Sequence, residues 1–287
     1  MTKRYNLWPF NFGALLGQNF SAAKVVIVPM PYEGAASFQT GTSAGPYAII
    51  TSSRYLDEVL DHQGKTVGFE PTDIYTLDEV DVPKDTIKGA LESIQAAIDQ
   101  EVLRHGKIPL MLGGDHSISL GAVRAVKKKY PDLSVLHFDA HLDTYNTYEG
   151  TRYSHACVIK RILDLNIPVV SLGIRRTEPT DIGNSHHVYR APALPSGEKA
   201  LSGLTKHVYC TFDVDCLDPS IMPSVGTPLP DGLRWAETIE FLERISKKIR
   251  FVGADVVELK PIPGFEAPNF LAAKLVYQLA LNILRKK

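Results

Sequence analysis

Two short segments carry side chains able to hold cations: Asp139-Ala140-His141-Leu142-Asp143 and Asp213-Val214-Asp215. Each follows an apolar run that reads as a buried strand, and each repeats a ligand-type residue at every second position. In extended backbone alternate side chains point the same way, so positions i, i+2 and i+4 are expected to converge. His116, after the Gly113-Gly114-Asp115 turn, adds a second imidazole. Each residue alone has a plain explanation, because Asp commonly caps helices and a lone His usually satisfies a hydrogen bond. Together they do not, since burying four carboxylates without counter-charge is very costly. Two divalent cations would neutralise the four aspartates.

Carboxylate and imidazole donors without thiolate suit a hard or borderline ion; Mn²⁺ fits best, with Fe²⁺, Co²⁺ and Zn²⁺ as alternatives. Two such ions about 3.5–4 Å apart lower the pKa of a water held between them. That is hydrolytic chemistry.

Strand-like runs alternating with amphipathic segments must position these groups. Strands are expected at Lys24–Pro29, Ile108–Leu112, Leu133–Phe138, Pro168–Leu172, His207–Phe212 and Phe251–Val257. Helices are expected at Gly45–Leu56, Ile118–Lys129, His155–Leu165, Arg234–Lys247 and Pro268–Arg285. A further helix, N-capped by Asp85, would bury Ile87, Leu91, Ile94, Ile98 and Val102 and stop at Gly106. The strands are apolar without clean alternation, as in a parallel sheet covered on both faces. This predicts an α/β fold, a three-layer α/β/α sandwich with a mainly parallel central sheet, formed by residues 1–287 as one domain. Thr177–Gly203 is the least regular stretch. Gly113–His116, Asp139, Asp213 and Glu258 all follow carboxyl ends of strands, where ligands bind in such sheets.

The bulk composition is unremarkable. With 44% hydrophobic residues and a formal net charge of -1, the chain shows no sign of disorder and no basic excess for nucleic acid. Lys127-Lys128-Lys129 is expected to sit at a helix C-terminus. Cys157, Cys210 and Cys216 form no CxxC pair, which suits a reducing cytoplasm. Met1-Thr2-Lys3-Arg4 resembles a basic leader start, but Pro9, Asn11, Gly13 and Gln18 interrupt the apolar core that a leader would need next. No apolar run approaches the roughly 20 residues needed to span a bilayer. No P-loop or GxGxxG motif is present, so no nucleotide cofactor is expected.

At these residues the chain resembles the ureohydrolase family, which contains arginases, agmatinases and related guanidino-acid hydrolases. The matching motifs, in family order, are Gly113–Ser117, Asp139–Asp143, Ser154-His155, Asp213–Pro219, Gly226–Pro228 and Asp255–Glu258, with Pro31-Tyr32 and Gly41…Gly45-Pro46 near the start. The resemblance implies an arginase-like sandwich and two divalent metal ions per chain, with Mn²⁺ preferred. One ion would be held by His116, Asp139, Asp143 and Asp213, the other by Asp139, His141, Asp213 and Asp215. It further implies attack by a bridging hydroxide on the guanidinium carbon of a small guanidino substrate, with Asp143 carrying the proton to the departing amine. His155 would shuttle protons or steady the substrate, and Glu258 would bind the guanidinium, whose fork matches a carboxylate. Family members are commonly trimers or hexamers, so a homotrimer or homohexamer is expected.

Arginases carry Asn two residues after the last Asp of the Asp-x-His-x-Asp motif, whereas Tyr145 stands there in this chain, as in agmatinases. Agmatine, split to putrescine and urea, is therefore the expected substrate, with Tyr145 at its tail. Two departures leave 4-guanidinobutyrate or a longer guanidino-polyamine open: Ser154-His155-Ala156-Cys157 replaces the usual Ser-His-Gly, and Gly226-Thr227-Pro228-Leu229-Pro230-Asp231-Gly232 replaces the usual Glu-containing loop. The rival readings are a single-Zn²⁺ amide deacetylase, a cysteine nucleophile at Cys157 beside His155, and a non-enzymatic binding protein.

Overall fold

A computed structural model describes residues 8–34, 39–56, 59–60, 66–176 and 183–285. Eight strands form the main sheet: Val25–Met30 (β1), Ile74–Thr76 (β4), Ile108–Gly113 (β5), Leu133–Phe138 (β6), Val169–Ile174 (β7), His186–Arg190 (β8), His207–Asp213 (β9) and Arg250–Val257 (β10). A separate two-stranded antiparallel piece comprises Val59–Leu60 (β2) and Thr66–Val67 (β3). The order across the main sheet is β4-β1-β5-β10-β9-β6-β7-β8, and every neighbouring pair is parallel.

Among the described residues seven α-helices cover it: Gly45–Ser53 (α1), Ile87–Ala97 (α2), Ser119–Lys129 (α3), Val158–Leu163 (α4), Gly197–Leu201 (α5), Trp235–Ser246 (α6) and Ala267–Leu284 (α7). Alternation along each strand divides the core into two layers. Val25 and Ile27 of β1 join residues of α1, α5, α6 and α7, while Val26 and Val28 join residues of α2, α3 and α4. Because both faces are covered, the strands carry the continuous apolar character seen in the sequence. The three-layer α/β/α expectation holds, and the sheet is wholly rather than mainly parallel.

Several local expectations need correction. The N-cap of α2 is Thr86, not Asp85: the Thr86 hydroxyl accepts the Gly89 N–H at 3.0 Å, and Asp85 stands one residue too early. Beyond Ala97 that helix widens into a π turn (Ile98–Val102), tightens into a 3₁₀ turn (Leu103–His105) and ends at Gly106 with φ 74°. Leu91, Ile94, Ile98 and Val102 are buried as expected, but Ile87 is only half-buried. The helix expected at His155–Leu165 is a 3₁₀ turn, His155–Cys157, followed by α4. The irregular stretch hides β8 and α5, whose few apolar residues give no clear period; its residues 177–182 lie outside the described set, as do residues 1–4. Lys127 and Lys129 do serve helix ends, donating to the Pro131 and Leu103 carbonyls.

The four central strands β5, β10, β9 and β6 bring Gly113–His116, Glu258, Asp213 and Asp139 to one edge. The turn carrying His116 depends on Gly114, because a Cβ there would stand 1.9 Å from the Tyr32 carbonyl oxygen. That carbonyl also accepts the Asp115 N–H at 3.0 Å, so it cannot retreat freely. Gly114→Ala is expected to destabilise the fold by about 1–3 kcal/mol and to weaken whatever His116 holds; an unchanged melting temperature would contradict this close approach.

Candidate metal centre and substrate cavity

Asp139, His141 and Asp143 are not on an extended strand. β6 ends at Phe138, and the three residues lie in the following loop, where Asp143 takes a left-handed φ of 52°. Their convergence is built by local hydrogen bonds rather than by pleating. The Asp139 Oδ1 accepts the His141 backbone N–H at 2.6 Å, and the Asp213 Oδ1 accepts the Asp215 N–H at 2.8 Å. Asp115 repeats the device, accepting the Ser117 N–H at 3.0 Å and turning His116 inward. Short acidic side chains favour such turns because they replace a backbone acceptor two residues on.

The six predicted ligands lie together at this edge, although Asp213, expected to bridge, belongs to neither compact group able to surround an ion and His137, not expected, belongs to one. His116 Nδ1 lies 3.1 Å from Asp139 Oδ2, 3.2 Å from Asp143 Oδ2 and 3.4 Å from Asp213 Oδ2. His141 Nδ1 lies 3.4 Å from Asp139 Oδ1 and 3.0 Å from Asp215 Oδ2. Asp139 therefore stands between two groups and presents a different oxygen to each. The groups His116, His137, Asp139 and Asp143, and Asp139, His141 and Asp215, are each compact enough to surround a metal ion.

A direct test of fit comes from His116. Its buried Nδ1 has no hydrogen-bond partner, although three carboxylate oxygens surround it. Its Nε2 lies 2.9 Å from Thr211 Oγ1, and the Thr211 hydroxyl donates to Asp255 Oδ1 at 2.7 Å. That hydrogen-bond direction puts a ring hydrogen on Nε2, so in the neutral ring Nδ1 is the lone pair. A lone pair among buried carboxylates is what a divalent cation requires.

Electrostatics agree. Burial, then repulsion from Asp139, pushes the Asp143 carboxyl up. Burial and the charges of Asp215 and Asp139 push Asp213 well above the usual range. Glu258 is likewise held well up by burial and by Asp115. Burial opposes charging of His141, yet Asp215 and Asp139 push it up to about 12. His116 is similarly disfavoured by burial but raised well above 6.5 by Asp139, Asp143 and Asp213. Lacking cations, the cluster gathers protons instead.

A cavity opens directly onto this cluster. His116, His141, Asp143, Asp213, Asp215 and Glu258 line it, together with Tyr145, Tyr148, His155, Arg176, Gln39 and Thr227. Glu258 adopts φ 64°, and one of its oxygens accepts the His116 backbone N–H at 2.7 Å. His155 begins its 3₁₀ turn within ring contact of Tyr148, and Tyr148 in turn packs on Tyr145. Cys157 is buried with its Sγ toward the Thr151 carbonyl and lines no part of this cavity, which removes the basis for a thiol nucleophile.

Four supporting residues give little sign of themselves in the sequence: His137, Thr211, Arg175 and Arg176. The Arg175 guanidinium donates to the Asp215, Cys216, Leu217, Gly173 and Leu229 carbonyls and clamps the loop carrying Asp215. The only sequence signal for His137 and Thr211 is a polar residue inside an otherwise apolar strand.

These charge shifts fix a sign for stability. A histidine raised in the folded state contributes stability fully present below its unfolded value of 6.5 and lost as pH rises toward about 12 for His141. The carboxyls raised at Asp143 and Asp213 also favour the folded state less as they ionise. The metal-free protein is therefore expected to melt at progressively lower temperature between pH 6.5 and 9, and the stabilisation added by Mn²⁺ to grow over the same range. A flat metal-free profile in a thermal melt series would overturn this reading.

Comparison with known proteins agrees with the geometry. The sequence profile of the arginase family matches residues 23–282. The chain is 38% identical to an N(1)-aminopropylagmatine ureohydrolase of Thermus thermophilus, covering 90% of this chain and 89% of that protein. It is 32% identical to an agmatinase of Bacillus anthracis, covering 92% and 93% respectively. The solved agmatine ureohydrolase of Thermoplasma volcanium superposes with a TM-score of 0.80 at 27% identity, covering 97% of this chain and 95% of that one. Extended similarity to these proteins, and the shared fold, show that the chain belongs to the arginase family of hydrolases.

Proposed function

We propose that this arginase-family enzyme uses two divalent cations to split a guanidino compound with a cationic tail into urea and an amine, with agmatine, giving putrescine, as the leading substrate. The observation that carries the reading is Asp139, whose two oxygens face two separate ligand groups. A single-metal deacetylase would not need the second group. His116, Asp139, Asp143 and Asp213 would hold one ion, and Asp139, His141, Asp213 and Asp215 the other, with Mn²⁺ best suited to the donors. Bound there, the cations supply Lewis acidity and make water nucleophilic near neutral pH.

The remaining work falls to side chains. Asp143, buried and with its carboxyl pushed up, can take a proton and return it to the departing amine. Glu258 spends one oxygen on the His116 N–H and lines the cavity, where a guanidinium would pair with the carboxylate and restore its charge. His155, partly exposed on the cavity wall, is placed to steady the substrate or exchange protons with solvent. Tyr145 and Tyr148, with ring centroids 5.4 Å apart and planes tilted by 46°, offer aromatic faces to an amine tail. The relatives' names support this class, since agmatine and N(1)-aminopropylagmatine are the compounds they specify.

Arg176 favours a second reading. It is exposed, lines the same cavity and would suit a carboxylate tail such as that of 4-guanidinobutyrate. The family resemblance further supports a homotrimer or homohexamer, the strand–helix alternation one domain over residues 1–287, and the three free cysteines a reducing cytoplasm. Among the described residues no helix is long and apolar enough to cross a membrane.

Urea release with Mn²⁺ from agmatine, N(1)-aminopropylagmatine and 4-guanidinobutyrate tests both readings. Turnover of the amine-tailed compounds is expected to exceed that of the acid, and release from none of them would sink the assignment. Asp143→Asn is expected to lower kcat by about 10²–10⁴-fold. Arg176→Ala is expected to leave KM for agmatine unchanged or lower; a large rise in KM for 4-guanidinobutyrate, together with its preferential turnover, would favour the second reading.

A further inference from the structure

Beneath the metal centre runs a polar row that crosses the sheet. Asp255 of β10 pairs in register with Thr211 of β9, Thr211 with His137 of β6, and His137 with Ser171 of β7. All four side chains are fully buried, on the face covered by α2, α3 and α4. The two inner members of the row reach the cluster: Thr211 Oγ1 contacts His116 Nε2. His137 Nε2 lies 2.9 Å from Asp139 Oδ2, and its Nδ1 lies 2.8 Å from Ser171 Oγ. Ser171 Oγ lies in turn 2.7 Å from Nε2 of His186, on β8.

We propose that His137, aligned through Ser171 and His186, is the positioning residue that holds Asp139 where its two oxygens can serve two cations. The inference rests on the binuclear reading of the centre and extends it to residues outside the ligand set.

His137 is distinguished from a ligand by occupancy of its nitrogens. Both are engaged, whereas His116 keeps one bare. The direction of the chain can be read from its far end. His186 Nδ1 is buried without a partner, which is tolerable for a lone pair and costly for an N–H. Burial holds His186 neutral, down to about 3, so its single hydrogen belongs on Nε2 and is donated to Ser171. The Ser171 hydroxyl then donates to His137 Nδ1, and His137 Nε2–H donates to Asp139. Every hydrogen points toward the shared carboxylate.

The consequence is mechanical. Asp139 receives one hydrogen bond on each oxygen, from His137 on Oδ2 and from the His141 backbone on Oδ1. The carboxylate cannot rotate without breaking both, and each oxygen keeps a lone pair for a cation. Residues that orient metal ligands in this way typically change metal affinity by about 10–100-fold when removed.

The test is metal binding, with turnover as a secondary readout. The full chain, stripped and titrated with Mn²⁺, is measured by calorimetry and by the electron paramagnetic resonance signal of an exchange-coupled Mn²⁺ pair. Wild type is expected to bind two ions per chain and show the pair. His137→Phe, lacking any donor, is expected to lose about 10–100-fold in affinity for at least one ion and to lose the coupled signal. His137→Gln, which places an N–H near the ring Nε2, is expected to recover much of both. Ser171→Ala, a smaller change that tests the chain should His137→Phe not fold, is expected to weaken binding in the same direction. Wild-type affinity and an intact pair signal in Ser171→Ala and in any folded His137→Phe overturn the inference while leaving the binuclear reading standing. A wild-type stoichiometry below two overturns both.

Discussion

Mutual repulsion among buried carboxylates is the constraint around which this molecule is arranged. Asp139, Asp143, Asp213 and Asp215 are each at least nine-tenths buried at one end of the sheet, with Glu258 beside them. Removing even one carboxylate from water carries an effective penalty of several kcal/mol. Two imidazoles do not offset four such charges, and the raised carboxyls of Asp143, Asp213 and Glu258 record the imbalance. Divalent cations resolve it directly. The same imbalance suits the site to the proposed chemistry, because a cluster short of positive charge favours both metal ions and a guanidinium.

Holding like charges together requires a stiff frame. Parallel strands supply it, because their carboxyl ends meet along one edge of the sheet and both faces are clamped by helices. The ligand loops add a second layer of stiffness. Asp115, Asp139 and Asp213 each close a tight turn onto the N–H two residues ahead; the second oxygen of Asp115 takes the Gly34 N–H, while Asp139 and Asp213 still present Oδ2 to His116. Arg175 adds a third, tying the Asp215 loop to strand β7 through backbone carbonyls alone. The positive φ values at Asp143 and Glu258 belong to this scheme; each is a strained conformation at a residue whose side chain lines the cavity.

The polar floor beneath the centre explains why certain strand positions break the apolar pattern. Thr211, His137, Ser171 and Asp255 would be expensive in an ordinary sheet interior. Here each finds a partner across the strands, and the network ends on His116 at one side and Asp139 at the other. Tyr209 completes it by donating to Asp255 at 2.8 Å. Cys210 and Cys216 are merely buried thiols, pushed well up by burial, in keeping with a packing role.

Much of this was legible in the chain. Residue type and order at Asp139–Asp143, Asp213–Asp215, His116 and Glu258 pointed to the candidate ligands and to hydrolytic chemistry, since few other demands place so many acids after apolar strands. Apolar runs located six of the eight main-sheet strands within one or two residues, and the unbroken apolar character showed both faces to be covered. Tertiary structure decided the rest. Which oxygen of Asp139 faces which group depends on turns closed after the strand, not on the pleat that its spacing suggested. β4 and β8 escaped notice because they are short edge strands with little apolar signal. His137, Ser171 and Thr211 became meaningful only once parallel register placed residues far apart in sequence side by side, for a local pattern cannot encode which strands will be neighbours.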